Sequence, residues 1–193
     1  MKNPILLSFP ESFETDRLLI RAPLWGDGEA VNEAVKESIE ELRHWMPWAQ
    51  QIPSLEESEL NIRQARLKFL DRTDLRLMLM NKVTGELVGC SGLHRIDWEA
   101  GRFEIVYWVR TSCAGQGYIT EAVNGITEFA IWHLNANRIE IRCDSLNSRS
   151  SKVAERAGFT LEAVLRSEAR DVKGALRDTM IYAKVRGEEF PNS

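Results

Sequence analysis

A chain of 193 residues, 44% of them hydrophobic, is long enough to bury a core and falls within the range of one domain. Its formal charge of −4 argues against broad nucleic-acid binding, which needs a basic face, and its longest apolar runs are too short for a signal peptide or a membrane span, which points to the cytoplasm. The three cysteines, Cys90, Cys113 and Cys143, have neither the clustering of a zinc site nor the even count of a disulfide framework, so reduced thiols and no metal are expected.

In chain order, residues 15–22 read as a first strand that enters a turn at 23–28. Ala30, Val31, Ala34, Val35 and Ile39 then recur at helical spacing, with Asp27 as N-cap or first-turn acid. An aromatic segment at 42–48 is stopped by Pro47; its Trp45 and Trp48 either pack under a loop or wall an acceptor pocket. A helix follows over 55–70, capped by Ser54 or Ser58, with Leu60, Ala65, Leu67 and Phe69 among its apolar residues. Strands at 75–80 and 86–94 flank a turn at Thr84 and Gly85. Gly89 and Gly92 within the second strand suggest a bulge or a close backbone approach, and His94, with no partner visible in sequence, reads as structural.

The stretch from Glu104 to Glu121 organises the rest. Residues 103–109 carry Phe103, Ile105, Tyr107 and Val109 at alternate positions, in a stretch rich in aromatic and β-branched residues, the period of a strand. From 119 to 133 the period changes: Ile119, Ala122, Val123, Ile126, Phe129, Ala130 and His133 recur at three- and four-residue steps, the stripe of an amphipathic helix. Between them Gly115 and Gly117 allow positive φ, and the helix behind them aims its free N–H groups and positive dipole end at the same place, which suits a phosphate. Thr120 stands where a dinucleotide fingerprint needs its third glycine, and neither glycine leads into the Gly-Lys-Ser/Thr of a Walker loop. A strand at 137–144, a helix over 148–157 capped by Asn147 or Ser148, and strands at 159–170 and 176–185 around Lys173 and Gly174 complete the order.

The glycine turn followed by Asn147-Ser-Arg-Ser150 and Glu155-Arg-Ala-Gly158-Phe159 resembles the GNAT superfamily of acetyl-CoA-dependent N-acetyltransferases, whose loop reads (Gln/Arg)-x-x-Gly-x-(Gly/Ala) and whose next helix opens Asn-x-x-(Ala/Ser). The Ala114-Gly-Gln-Gly117 loop, the Glu104-Ile-Val-Tyr107-Trp108 strand and the opening Thr15-Asp-Arg-Leu18 resemble the branch that acetylates ribosomal-protein N-termini. The resemblance implies one α+β domain over 1–193: a mixed, largely antiparallel sheet with helices on both faces, in the order β-α-α-β-β-β-α-β-α-β-β. Acetyl-CoA would lie where the fourth and fifth strands splay, its pyrophosphate on the backbone of Cys113, Ala114, Gly115, Gln116, Gly117, Tyr118, Ile119 and Thr120. A backbone N–H of Trp108 or Val109, where the strand loses regular pairing, would meet the oxyanion, and Asn147 and Ser150 would reach the pantetheine arm.

Acetyl transfer to an amine needs a base, and Glu104 occupies a GNAT base position. The tyrosine acid that many GNATs carry seven residues after the asparagine is Ala154 here, which leaves Ser150 as the acid; Ser112 replaces the loop's usual Gln or Arg. No histidine is tied to Cys113 by a motif, which disfavours a cysteine nucleophile. Trp45, Trp48 and Glu104 would contact the acceptor. At pH 7 an α-amine with a pKa of about 8 costs about 1.4 kcal/mol to deprotonate, against about 4.6 for a lysine. The implied acceptor is the α-amine of a ribosomal or other protein. Small amines (a polyamine, an amino acid, an aminoglycoside) and a non-catalytic acetyl-CoA-binding protein are the alternatives. No membrane or nucleic-acid partner is expected; a homodimer is compatible with the sequence.

Overall fold

The computed structural model describes residues 3–191, so residues 1, 2, 192 and 193 of the expected domain lie outside it. Among the described residues, nine strands form one sheet. Its order is β1 (Ser12–Glu14), β2 (Leu18–Arg21), β3 (Leu75–Asn81), β4 (Leu87–Asp97), β5 (Arg102–Ile105), β7 (Arg138–Asp144), β9 (Leu176–Val185) and β8 (Thr160–Arg170), with β6 (Trp108–Val109) paired to β4. Neighbours run antiparallel except β5 with β7.

Alternation along β3 shows how the helices divide between the two faces. Leu75, Leu77 and Leu79 join the main core. That core also takes the stripe of α3 (Tyr118–Leu134) and Val153 and Ala154 of α4 (Ser148–Arg156). Met78 points the other way, against Ala34 of α1 (Gly28–Leu42) and Ile62 of α2 (Leu55–Asp71). Helices therefore cover both faces of a mixed, mainly antiparallel sheet. Among the described residues no helix is long and apolar enough to cross a membrane.

Local chemistry moves several expected boundaries. The strand expected at 15–22 begins only at Leu18, because Thr15 and Leu18 close a tight turn: Thr15 N–H donates to the Leu18 carbonyl (2.9 Å) and Leu18 N–H to Thr15 Oγ1 (3.2 Å). That turn brings in β1, a strand absent from the expected order. Asp27 sits at the N-cap of α1 without capping it; its carboxylate instead holds Arg21 (2.7 Å) and accepts from Leu24 N–H (2.8 Å). Ser54 caps α2 in a reciprocal capping box with Glu57. The buried side of α2 is Ser58, Ile62, Ala65 and Phe69, while Leu60 and Leu67 are exposed. In α3 the buried stripe ends on Leu134, and His133 is exposed. The strand expected over 103–109 is two short strands with a lapse in pairing at Val106 and Tyr107.

Candidate active site

The lapse at Val106 and Tyr107 opens the sheet. β5 and β7 pair over residues 102–104, after which the chain swings away from β7 and β6 pairs with β4, Trp108 opposite Cys90 and Val109 opposite Gly89. β7 keeps to β9 as far as Asp144. A wedge is left between them. Glycine permits the swing: a Cβ on Gly89 would lie 2.2 Å from the Trp108 carbonyl oxygen. The lapse falls earlier than Trp108 and Val109, where irregular pairing was expected. Those two residues are in a strand, but they differ in which way their N–H groups point. Arg110 N–H donates to the Val88 carbonyl (2.8 Å), and because N–H groups alternate sides along a strand, the Val109 N–H turns away from β4 and into the wedge.

Beyond β6 a single 3-10 turn (Thr111–Cys113) leads into the glycine turn. Glu37 and Ser38 of α1 hold its near end, accepting from Ser112 N–H (2.8 Å) and Thr111 N–H (2.9 Å). Gly115 and Gly117 have φ of 74° and 82°, so both glycines are required by conformation. Cys113 N–H and Ala114 N–H are spent on the preceding turn, on Arg110 and Thr111 carbonyls, and the first bond of α3 runs from Glu121 N–H. Among the described residues, the N–H groups from Gly115 to Thr120 have no partner within the chain. A run of free donors at the positive end of a 17-residue helix fits a diphosphate.

The opening Thr15-Asp-Arg-Leu18 segment locks this cradle from the far side. Glu121, in the first turn of α3, accepts from Thr15 Oγ1 (2.6 Å), Arg17 N–H (2.7 Å) and Arg17 Nε (2.7 Å). Arg17 Nη1 also donates to the Gln116 carbonyl (3.0 Å), and its guanidinium lies over the Tyr118 ring. Burial works to raise the Glu121 carboxyl, but the hydrogen bonds from Thr15 and Arg17 outweigh it and hold the group below its usual range.

A cavity of about 320 Å³ occupies the wedge, with Glu104, Tyr107, Asn147, Ser150 and Trp45 in its lining. Phe103 and Ile105 point into the main core, so Glu104 between them faces the other side of the sheet, the side of α1 and α2. It is buried, its Oε2 has no hydrogen-bond partner among the described residues, and Arg95 Nε is 3.5 Å from that oxygen. Burial raises its pKa, against the opposing charge of Arg95. Ser150 reaches the cavity from α4. Its N–H donates to Asn147 Oδ1 (3.1 Å), the cap of that helix. The Tyr107 hydroxyl lies 2.9 Å from Ser150 Oγ and donates to the Ser150 carbonyl (3.1 Å).

Tyr107 is the member of this group that sequence reasoning passed over. It lay inside a motif read for its glutamate and for the backbone that follows, and its one available signal was a polar-tipped aromatic at the end of a strand, which tends to find a partner when buried. The expected site residues do not all share one cavity. Trp48 and Trp108, with ring centroids 6.2 Å apart, line a second cavity of about 640 Å³ between the sheet and α1 and α2. Val106 and Tyr107 line both cavities. Cys113 packs half-buried against the main core. Cys90 is buried and its thiol is pushed up to about 12 by desolvation, and burial likewise raises Cys143.

Comparisons with known proteins agree with this fold. The family model for the acetyltransferase (GNAT) domain matches residues 17–160. Over 113 residues, 58% of this chain and 63% of the relative, the sequence is 33% identical to an uncharacterized N-acetyltransferase, p20, of Bacillus licheniformis. It is 28% identical over 144 residues to the ribosomal-protein-serine acetyltransferase of Escherichia coli (strain K12), covering 75% of this chain and 79% of that one. The crystal structure of the microcin C7 self-immunity acetyltransferase MccE in complex with acetyl-CoA and AMP superposes with a TM-score of 0.84 at 26% identity, covering 92% of this chain and 97% of that one.

Proposed function

The chain belongs to the GNAT acetyltransferase family, an acyltransferase with acetyl-CoA as its acetyl donor, and from that premise we propose that it acetylates the N-terminal α-amine of a ribosomal or other protein. Acetyl-CoA, when bound, supplies a thioester whose acyl carbon accepts the amine and whose thiolate departs. The unpaired N–H groups from Gly115 to Thr120 are placed to bind its diphosphate, and Asn147 and Ser150 to border its pantetheine arm. Glu104 takes the proton from the incoming ammonium. The Val109 N–H meets the carbonyl oxygen as negative charge grows on it. Ser150 Oγ donates a hydrogen bond to the departing sulfur, directly or through one water, and the second proton that the nitrogen sheds as the amide forms passes to that sulfur; the Tyr107 hydroxyl fixes the serine from behind. Trp45 walls the acceptor side of the first cavity, and Trp48 that of the second.

One observation carries this assignment: Glu104, facing one side of the sheet, and Ser150, on a helix packed against the other, line the same cavity. A base and an acid are thus held apart across the opening. Burial also raises Glu104 toward the range in which a carboxylate exchanges protons with an α-amine. The E. coli relative, named for a ribosomal-protein serine, supports the acceptor class, and such an acceptor places the reaction in the cytoplasm.

A small-molecule amine is the second reading, favoured by the likeness to a self-immunity acetyltransferase bound to AMP. Mass spectrometry of acetyl transfer to N-terminal peptides of ribosomal proteins, offered together with a panel of small amines, decides between them. An acetyl adduct confined to a peptide α-amine is the expected result; transfer only to small amines overturns the protein-terminus reading and keeps the chemistry.

A further inference from the structure

His94 has no role in the chemistry described so far, yet it stands between two carboxylates. Its Nδ1 is 2.6 Å from Asp74 Oδ2; Asp74 immediately precedes β3, beside β4. On its other side, His94 is the direct antiparallel partner of Glu104 on β5. Residues opposed in this way carry their Cβ atoms about 4.5–5.5 Å apart on one face of the sheet. Asp74, His94 and Glu104 therefore form a row across successive strands.

The register shift in β4 between His94 and Asp97 inserts one extra residue there. Arg95, at φ 45°, consequently addresses the same face as His94 and reaches Glu104 Oε2 at 3.5 Å. Arg95 and the His94 ring thus flank one buried carboxylate. The other charged groups around the row are Arg76 of β3 and Lys68 of α2 near Asp74, and Glu140 and Arg142 of β7 near Glu104. Glu57 of α2 lines the same cavity as His94. Burial works to raise Asp74, but the hydrogen bond and charge of His94 prevail and hold it below its ordinary range. His94 borders the second cavity and Glu104 the first, and the two cavities share Val106 and Tyr107.

We propose that His94, oriented by Asp74, is a positioning residue that keeps Glu104 ionised in the reaction cavity. The inference rests on Glu104 being the base. With its Nδ1 committed to Asp74, the ring is fixed in place beside Glu104, where its protonated form favours the carboxylate that must accept the ammonium's proton. Of the other cations near Glu104, Arg95 is largely exposed and therefore weakly coupled, and Arg142 of β7 is engaged by Glu168 at 2.9 Å.

The test is the pH dependence of kcat at saturating acetyl-CoA and peptide acceptor, for the unaltered protein, His94→Gln, Glu104→Gln and the double variant. A parallel carbon NMR titration follows the Glu104 carboxyl in the free protein. Losing a neighbouring positive charge makes a carboxylate harder to ionise. His94→Gln is therefore expected to move the acid limb, and the NMR midpoint, up by about one pH unit. The same change made in the Glu104→Gln background should have no further effect on the limb. A fall in kcat at all pH values with limb and midpoint unmoved, in both His94→Gln and His94→Asn, would overturn the proposal, because lost packing does not discriminate by pH. Should Glu104→Gln itself keep the original limb and rate, the base assignment fails, and this inference fails with it for a separately recognisable reason.

Discussion

Glu104 is a carboxylate buried without a hydrogen-bond partner on Oε2, an arrangement that costs stability and suits proton transfer. Its folded-state pKa is raised by burial, so the folded chain binds that proton more tightly than the unfolded chain does. Stability from this group is present at low pH and is lost as pH rises from the unfolded value of about 4.3 through the raised folded one. Glu104→Gln removes that loss. The variant is expected to melt higher than the unaltered protein at pH 7 while its kcat falls about 10²–10⁴-fold, with acetyl-CoA affinity by calorimetry within about twofold. For the same reason, the acid limb of kcat in the unaltered enzyme should lie above the ordinary carboxylate range.

Ser150 and Tyr107 make a graded pair. Ser150→Ala removes the donor and should cost turnover strongly, whereas Tyr107→Phe keeps the donor but frees it, a loss of about tenfold or less at unchanged acetyl-CoA affinity. Equal losses from both, measured by steady-state kinetics, would make the tyrosine the acid. The sequence singles out Glu104 and Ser150 by residue type and motif. It offers no hint of Tyr107 against Ser150, a contact across 43 residues.

At the scale of elements, the cradle is a local device with a remote clamp. Its glycines, the helix behind them and the helix cap at Asn147 follow from short-range rules, namely positive φ, a change of period and a side-chain oxygen at an N-cap. All were readable in the sequence within a residue or two. The clamp was not, because Arg17 and Glu121 are 104 residues apart. Arg17→Ala should raise the KM for acetyl-CoA by about three- to tenfold and lower kcat far less; the Arg17 side chain is half exposed, which keeps the effect modest. A larger loss of kcat than of KM would mean that the clamp shapes the reaction cavity instead. The missed β1 and the divided 103–109 strand share a cause. Residue type marks neither boundary, since Phe13 is the one apolar residue of β1 and apolar residues run on through Val106 and Tyr107, and only side-chain and backbone bonds to distant strands decide where pairing stops.

For the whole molecule, the decisive feature is an opening that passes between strands. Glu104 faces the side covered by α1 and α2, and Ser150 reaches in from a helix on the other side. Acceptor and donor can then be held at once from opposite faces, which requires no acetyl-enzyme. Initial-rate plots against both substrates are expected to intersect, and intact-mass spectra after acetyl-CoA alone should show no adduct on Cys113 or Cys143; parallel lines with an acetylated cysteine would refute this.

What the sequence by itself determined was the class of elements, their order apart from β1 and the break at Val106, the glycine-turned cradle, and through its motifs the family. These are set by dihedral preference, hydrophobic period and residue type, which act within a few neighbours. Only the tertiary structure decided where along those strands pairing lapses and which N–H faces the gap. It also decided that Trp45 and Trp48 border different cavities, and that Asp74, His94 and Glu104 stand in one row. Those depend on strand pairing and packing between residues far apart in the chain, where burial and electrostatics act through space and the spacing along the sequence carries no record of them.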